Sequence, residues 1–209
     1  MPYEFLISAL VTLLVVLDPA GIAPTFLAVT DGLSGRFRRE VALRGCLIAG
    51  AILIGAALIG DWLLRQLGIT LPAFRIAGGL LLFAVAFEMV LGLRQQRDSR
   101  DAEQAAEEHL HHIAAFPLAI PLLAGPGAIT ATILLAGQAG YRPAWFAVLL
   151  AVIVVVMAIC AAALLMAERI SKLLRRTGNV LLSRLLGVIL AALAVQYVID
   201  GARAAFGTG

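Results

Sequence analysis

Long apolar stretches constrain the fold of this chain more than any other feature of its sequence. Of its 209 residues, 62% are hydrophobic and 14% are charged, whereas a soluble domain is typically about half apolar and a quarter charged. A soluble core of this length cannot hide so much apolar surface. The composition therefore predicts an all-α, polytopic membrane protein. The first apolar run has no cleavage site of small residues and almost no positive flank, so we expect a retained span and not a signal peptide.

Six segments are long enough to cross a bilayer, which takes roughly 20 apolar residues of helix. The predicted transmembrane helices are 4–30, 42–64, 74–93, 113–139, 144–167 and 180–203. The only long hydrophilic segment, 94–112, divides them into two groups of three. We therefore predict three parts. They are a three-helix repeat at 1–93, a charged cytoplasmic linker at 94–112 and a second three-helix repeat at 113–209.

The distribution of basic residues predicts the orientation of these spans. The loops that follow the first, third and fifth spans carry twelve arginines and lysines, and the opposite side carries four. Loops rich in basic residues stay in the cytoplasm. We therefore expect a multi-pass protein of a bacterial inner membrane with both termini outside. The small net positive charge of the chain is explained by these loops and requires no nucleic-acid partner.

The two halves of the chain resemble each other in sequence. The segment F-R-I-A-G-G-L-L-L-F-A-V-A-F-E-M-V-L-G lies over S-R-L-L-G-V-I-L-A-A-L-A-V-Q-Y-V-I-D-G at a shift of 109 residues, from 74–92 to 183–201. At a similar shift, D-P-A-G-I lies over G-P-G-A-I. Each half has three spans, an odd number, so the second half must be inverted relative to the first. Inverted repeats are a recurring architecture of secondary transporters.

The first predicted span is interrupted by D-P-A-G-I-A-P-T-F, residues 18–26. Proline and glycine break the helical hydrogen-bond ladder, and broken helix at membrane depth is tolerated where it is buried in protein or lines a cavity. A lone carboxylate at that depth is usually functional, although an aspartate also caps a helix that begins after it. We predict a substrate site here, with the prolines and glycine chiefly shaping the backbone. The candidate residues are Asp18, Pro19, Gly21, Pro24 and Thr25.

The fourth predicted span has a similar interruption, P-L-A-I-P-L-L-A-G-P-G-A-I-T, at 117–130. Two broken helices that enter from opposite faces would bring their interruptions together near the midplane. A helix that restarts there points free N–H groups at the site, which suits a carboxylate, and Asp18 offers the complementary negative group. An amino acid zwitterion would satisfy both. The candidate residues of this break are Gly125, Pro126, Gly127 and Thr130, with Thr132 as a further hydroxyl unless it bonds to its own helix.

Three motifs together, D-P-A-G-I-A-P-T-F, F-R-I-A-G-G and P-L-A-I-P-L-L-A-G-P-G-A-I-T, resemble the MarC family of bacterial inner-membrane proteins, also called the neutral amino acid transporter family. The resemblance covers nearly the whole chain. It implies transport of small neutral amino acids such as glycine and alanine. Family members often carry asparagine at the position of Asp18, so the aspartate adds a charge that bears on the substrate or on the coupling ion.

Three charged residues of the third and sixth spans are further candidates. Arg75 and Arg184 occupy equivalent places in the two halves and are interpreted as interface anchors or as gating residues. Glu88 lies about one turn inside the third span, where it either carries protons or pairs with a loop arginine. The glycines of the second, third and sixth spans are expected to permit close helix packing.

The alternatives to an amino acid transporter are a cation or metal exporter or channel that uses Asp18, and a membrane scaffold that transports nothing. A single carboxylate with few other oxygen ligands makes a weak cation site. We expect no enzyme, because the sequence lacks the intramembrane catalytic motifs, and no cofactor beyond a coupling ion such as H⁺ or Na⁺. No metal site is predicted, either at the two apolar cysteines or at the linker histidines His109, His111 and His112. The sequence leaves open whether the chain forms a homo-oligomer.

Overall fold

The computed structural model describes residues 2–94, 123–140 and 142–207, apart from the side chains of residues 2 and 174–177. The described residues form seven α-helices and no strand. Five candidate spans in this part of the chain are long and apolar enough to cross a membrane. The helices are α1 (Pro2–Leu17), α2 (Pro19–Val29), α3 (Gly35–Gln66), α4 (Leu71–Leu91), α5 (Pro126–Ala139), α6 (Pro143–Leu165) and α7 (Ala167–Ala205).

The first span is broken where the sequence predicts it. Helix α1 ends at Leu17 and α2 begins at Pro19, with Asp18 alone between them. The two helices together form one candidate span, Tyr3–Val29. The fourth predicted span, 113–139, begins outside the described residues, and α5 is its second part. The linker histidines and most of the linker also lie outside the described residues.

Two helix boundaries correct the sequence analysis. Helix α3 begins at Gly35, so the basic residues predicted for the first cytoplasmic loop lie within its first turns. Helix α7 begins at Ala167, and only Met166 separates it from α6, so the loop predicted after the fifth span is helical. An apolar scan finds only the part of a helix that suits lipid. Nothing in these segments interrupts the helical backbone hydrogen bonds, so each helix continues beyond its apolar part.

Helices α4 and α7 form the most extensive contact of the described fold. They run antiparallel, and glycines bring their backbones together. A Cβ on Gly79 would lie 2.7 Å from the Ala194 carbonyl oxygen, and a Cβ on Gly201 would lie 2.8 Å from the Pro72 carbonyl oxygen. Helices associate in lipid chiefly through such close packing, because lipid tails are as apolar as the side chains that they would replace. The predicted role in packing is therefore confirmed for these glycines of α4 and α7, whereas Gly55 of α3 has no neighbour within 4 Å of a Cβ position.

The broken span lies inside the bundle. Helix α1 contacts α5, α6 and α7, and α2 contacts α6 and α7. The end of α1 is buried on every side, since Val15, Val16 and Leu17 are at most 3% exposed. Apolar side chains on the outward faces of α3, α4, α6 and α7 are exposed in the isolated chain, as expected for surfaces that meet lipid. This arrangement places the break where irregular backbone is shielded from lipid.

Candidate functional site

Asp18 forms the break between α1 and α2. Its backbone has φ 46° and ψ 66°, which makes it the only non-glycine residue with positive φ in the described part of the chain. Aspartate visits this left-handed region more readily than most residues, because its side chain hydrogen-bonds locally. Here Asp18 Oδ1 accepts a 3.0 Å hydrogen bond from the Gly21 N–H. Pro19 occupies the first position of α2, where a missing N–H costs nothing.

Glycine is the only residue type that fits at position 21, beside the Asp18 carboxylate. A Cβ at this position would lie 2.2 Å from Asp18 Oδ2 and 2.7 Å from Asp18 Cγ. Any side chain would therefore displace the carboxylate. The sequence predicts that this glycine shapes the backbone, and in the structure it also gives the Asp18 carboxylate room to turn back onto α2.

Arg94 satisfies one of the backbone groups that the break leaves open. The left-handed backbone of Asp18 interrupts the helical hydrogen bonds, so carbonyls at the end of α1 lose their helical donors. The Arg94 guanidinium donates a 2.8 Å hydrogen bond to the Val16 carbonyl oxygen. The sequence predicts Arg94 to lie at the start of the cytoplasmic linker. Its contact with Val16, 78 positions away, has no signal in the local sequence.

Ser183 joins α7 to the break. Its hydroxyl donates a 2.6 Å hydrogen bond to Asp18 Oδ2, and both side chains are buried. The two residues are 165 positions apart. Ser183 is not among the residues predicted from the sequence, because a serine in an apolar helix gives no sequence signal of its partner.

The start of α5 lies against the end of α1. Helix α5 begins at Pro126 after Gly125, an N-cap residue that has no side chain to cap the first turn. A Cβ on Gly127 would lie 3.6 Å from Val16 Cγ1 and 3.3 Å from Val85 Cγ2. The start of α5 is thus packed against the end of α1 and against α4. The start of α5 therefore contacts the last turn of α1, next to the break at Asp18.

A small cavity adjoins the break. Its volume is about 10 Å³, close to the minimum that holds one water molecule. The walls come from α2, from α4 and the residues after it, and from α7. The lining residues are Asp18, Gly21, Ile22, Met89, Gly92, Arg94, Val180 and Ser183. The lining of this break cavity therefore includes one residue with a carboxylate and one with a guanidinium, and most of the other lining residues are apolar.

The remaining predicted site residues are divided between the bundle interior and its surface. Thr25 and Thr130 are buried, and the methyl group of Thr130 packs at Gly78 of α4. The Thr132 hydroxyl donates to the Ala128 carbonyl oxygen one turn back in its own helix, at 2.8 Å, so it follows the alternative of a bond to its own backbone. Pro24 and Pro126 are exposed on the outside of the chain, which separates their side chains from the break cavity.

The three charged candidates lie on α4 and α7, outside the lining of the break cavity. Arg75 is half-buried near the start of α4, with its Cβ against Gly201 of α7. Arg184 is exposed, and one guanidinium nitrogen lies 3.7 Å from the point that a Cβ on Gly92 would occupy. Glu88 is half-buried on α4, one turn before Gly92.

The described residues contain no group of three or more histidine, cysteine, aspartate or glutamate side chains that could hold a metal ion. Cys46 and Cys160 are both buried free thiols. They lie on α3 and α6, within the apolar core of the bundle. Their placement agrees with the packing role that the sequence analysis gave them.

Comparison with known proteins identifies the family. Residues 3–206 match the family model described as "MarC family integral membrane protein". The chain belongs to the MarC family. A MarC-family relative, the UPF0056 membrane protein MJ1677 of Methanocaldococcus jannaschii, is 38% identical over 205 residues, which cover 98% of this chain and 99% of the relative. The family resemblance drawn from the three sequence motifs is confirmed.

Relatives of this MarC-family chain occur in archaea and bacteria. A UPF0056 membrane protein of Archaeoglobus fulgidus is 36% identical, with 95% of this chain and 92% of the relative covered. The UPF0056 membrane protein YhcE of Escherichia coli is 32% identical, with 93% and 90% covered. These names describe membrane proteins and specify no substrate. No solved structure matches the chain.

Proposed function

We propose that this MarC-family protein is a secondary transporter of small neutral amino acids such as glycine and alanine, coupled to H⁺ or Na⁺ and favouring export. The observation that carries the proposal is the break cavity, whose walls hold the Asp18 carboxylate and the Arg94 guanidinium. An α-amino acid carries one ammonium and one carboxylate group at neutral pH. A buried cavity with one group of each charge matches this pair, whereas a bare cation would meet Arg94 as a repulsive neighbour.

The apolar part of the lining supports a small substrate. Ile22 and Met89 are 3% and 2% exposed, and Gly21 and Gly92 contribute no side chain to the walls. The cavity in this conformation holds about one water molecule, so an amino acid enters only when the helices around the break move apart. We take this conformation as a closed form of the alternating-access cycle.

The pairing of helices supports six spans in two inverted repeats. At the shift of 109 residues, Arg75 corresponds to Arg184 and Gly92 to Gly201. In the fold Gly201 packs against Arg75, and Gly92 lies near Arg184. Exchanging the halves therefore converts one contact into the other, as a two-fold axis in the membrane plane would. The contacts of α2 with α7 and of α5 with α4 form a second such pair. Rocking of one repeat against the other would then open the site to each side in turn.

The test is uptake of radiolabelled glycine and alanine into proteoliposomes, with and without imposed H⁺ and Na⁺ gradients. We expect uptake by the wild-type protein that depends on one of the gradients, and at least tenfold lower uptake for Asp18→Asn at low substrate concentration. Gln196→Leu is a matched control, because Gln196 is exposed on α7 and bonds to Asp200 of its own helix. Equal flux in empty liposomes and in liposomes with folded protein would refute amino acid transport and leave the cation exporter and the scaffold as the remaining functions.

A further inference from the structure

A stripe of buried residues runs along the inner face of α7. Its members recur at intervals of three or four positions, as expected for one face of a helix. They are Asn179, Ser183, Gly187, Leu190, Ala194, Tyr197 and Gly201. Ser183 reaches the Asp18 carboxylate, and Gly187 packs against Met89 and Ala86 of α4. Asn179 therefore lies on the same face of α7 as Ser183, one turn earlier and next to the cavity-lining Val180.

Asn179 is buried without a partner for its side-chain oxygen. The residue is 5% exposed, and its Oδ1 atom makes no hydrogen bond within the described part of the chain. Burying a polar oxygen without a hydrogen bond is unfavourable in free energy. Polar side chains that face the inside of a membrane bundle commonly mark the path of a substrate or ion. An acceptor kept open at this cost indicates that a donor reaches it in another state of the protein.

We propose that Asn179 and Ser183 form the ammonium-binding side of the substrate site, together with Asp18. The inference rests on the proposed function and deepens it by fixing which end of a zwitterion faces α7. The oxygens concerned are all acceptors for an ammonium group, which has three donors and no acceptor. Asp18 carries the negative charge, and Asn179 Oδ1 has both lone pairs open. The Ser183 hydroxyl keeps a lone pair while it donates to Asp18.

The opposite orientation fits the same residues less well. A substrate carboxylate placed against α7 would meet the Asp18 carboxylate and the unpaired oxygen of Asn179. Both would repel it. On the α4 side, Arg94 places a positive charge at the cavity, which suits a carboxylate. Binding would thus draw α7, which holds the ammonium, toward the end of α4, which holds the carboxylate.

The experiment measures equilibrium binding to the purified full-length protein in detergent by titration calorimetry. The probes are glycine, ethylamine with an ammonium group alone, acetate with a carboxylate group alone, and NaCl. The variants are Asn179→Leu, Asn179→Asp, Ser183→Ala and Ser183→Thr, with Gln196→Leu as the matched control on α7. Thermal unfolding is recorded for each variant. We expect Asn179→Leu to be as stable as wild type or more stable, since an isosteric apolar group relieves an unsatisfied amide.

The variant Asn179→Asp, which adds a negative charge, tests whether the group bound at this position is positive or negative. Asn179→Leu and Ser183→Ala should weaken glycine and ethylamine binding by about tenfold, the usual scale for losing a hydrogen bond to a charged group. Asn179→Asp should strengthen ethylamine binding and leave acetate binding unchanged or weaker, and Ser183→Thr should retain affinity.

Wild-type glycine affinity in both Asn179 variants would overturn the inference while the proposed function stands. Loss of Na⁺ binding alone, with amine binding intact, would overturn it in favour of a coupling-ion site. A wild-type protein that binds no amino acid would refute the proposed function and this inference together.

Discussion

Gly127 at the start of α5 packs against Val16 at the end of α1, with 3.6 Å between the point that a Gly127 Cβ would occupy and Val16 Cγ1. Two helix ends from different halves of the chain thus meet inside the bundle. Their contact leaves room for a methyl group at most, because Val85 and Leu82 close the other sides at 3.3 Å and 3.9 Å.

A size series at Gly127 tests this contact. We expect Gly127→Ala to fold with little change in stability, since its nearest neighbours are flexible side-chain ends. Gly127→Leu should lower the free energy of unfolding by about 1–3 kcal/mol, the usual range for overpacking, and should abolish transport by separating the two breaks. Thermal unfolding in detergent and proteoliposome uptake measure the two effects. Equal stability of the two variants would contradict close packing at this position.

Replacement of Asp18 separates its roles as a cap, as a left-handed residue and as a charge. An asparagine side chain would keep the cap and tolerate the backbone, so Asp18→Asn should unfold near the wild-type temperature. Asp18→Ala loses the cap and should cost about 1–2 kcal/mol, whereas Asp18→Gly recovers the backbone and should cost a few tenths. Chemical denaturation in a mild detergent gives this order. An alanine variant as stable as the asparagine variant would show that the cap contributes nothing.

A pair of glycine substitutions tests the fit of the Asp18 carboxylate. Gly21→Ala should move the carboxylate and break its bond to Ser183, because the new Cβ would lie 2.2 Å from Asp18 Oδ2. Gly55→Ala is the matched control, since a Cβ there meets nothing within 4 Å. It should be neutral or stabilise α3 by up to about 1 kcal/mol. Substrate binding and thermal stability are compared for the two proteins. If Gly21→Ala behaves like Gly55→Ala, the described geometry of the carboxylate is wrong.

Cysteine labelling tests the predicted orientation. Because Cys46 and Cys160 are buried, the wild-type protein should react little with a membrane-impermeant maleimide. Ser34→Cys at the start of α3 should be labelled only after the cells are permeabilised. Ala205→Cys at the end of α7 should be labelled in intact cells. The reverse pattern would place both termini in the cytoplasm and overturn the interpretation of the basic loops.

The sequence predicted the parts of the site that depend on local chemistry. Proline interrupts the hydrogen bonds of a helix, so the break at Asp18 and the start of α5 at Pro126 can be predicted from the local sequence. The partners of the break were not, because Ser183 and Arg94 reach it only through the tertiary fold. Pro24 was predicted at the site and lies on the outside, since helix periodicity within α2 turns it away from the bundle. Asn179 was missed because burial without a partner is visible only in three dimensions.

The glycine contacts between α4 and α7 have a mechanical consequence. Where backbone touches backbone, as Gly79 touches Ala194 and Gly201 touches Pro72, no layer of flexible side chains lies between the helices to absorb a displacement. Sliding one helix along the other would lift each glycine out of its contact and bring bulkier neighbours into collision. We therefore expect α4 and α7 to rock about these contacts without sliding along each other, with bending concentrated at the Asp18 and Gly125 breaks.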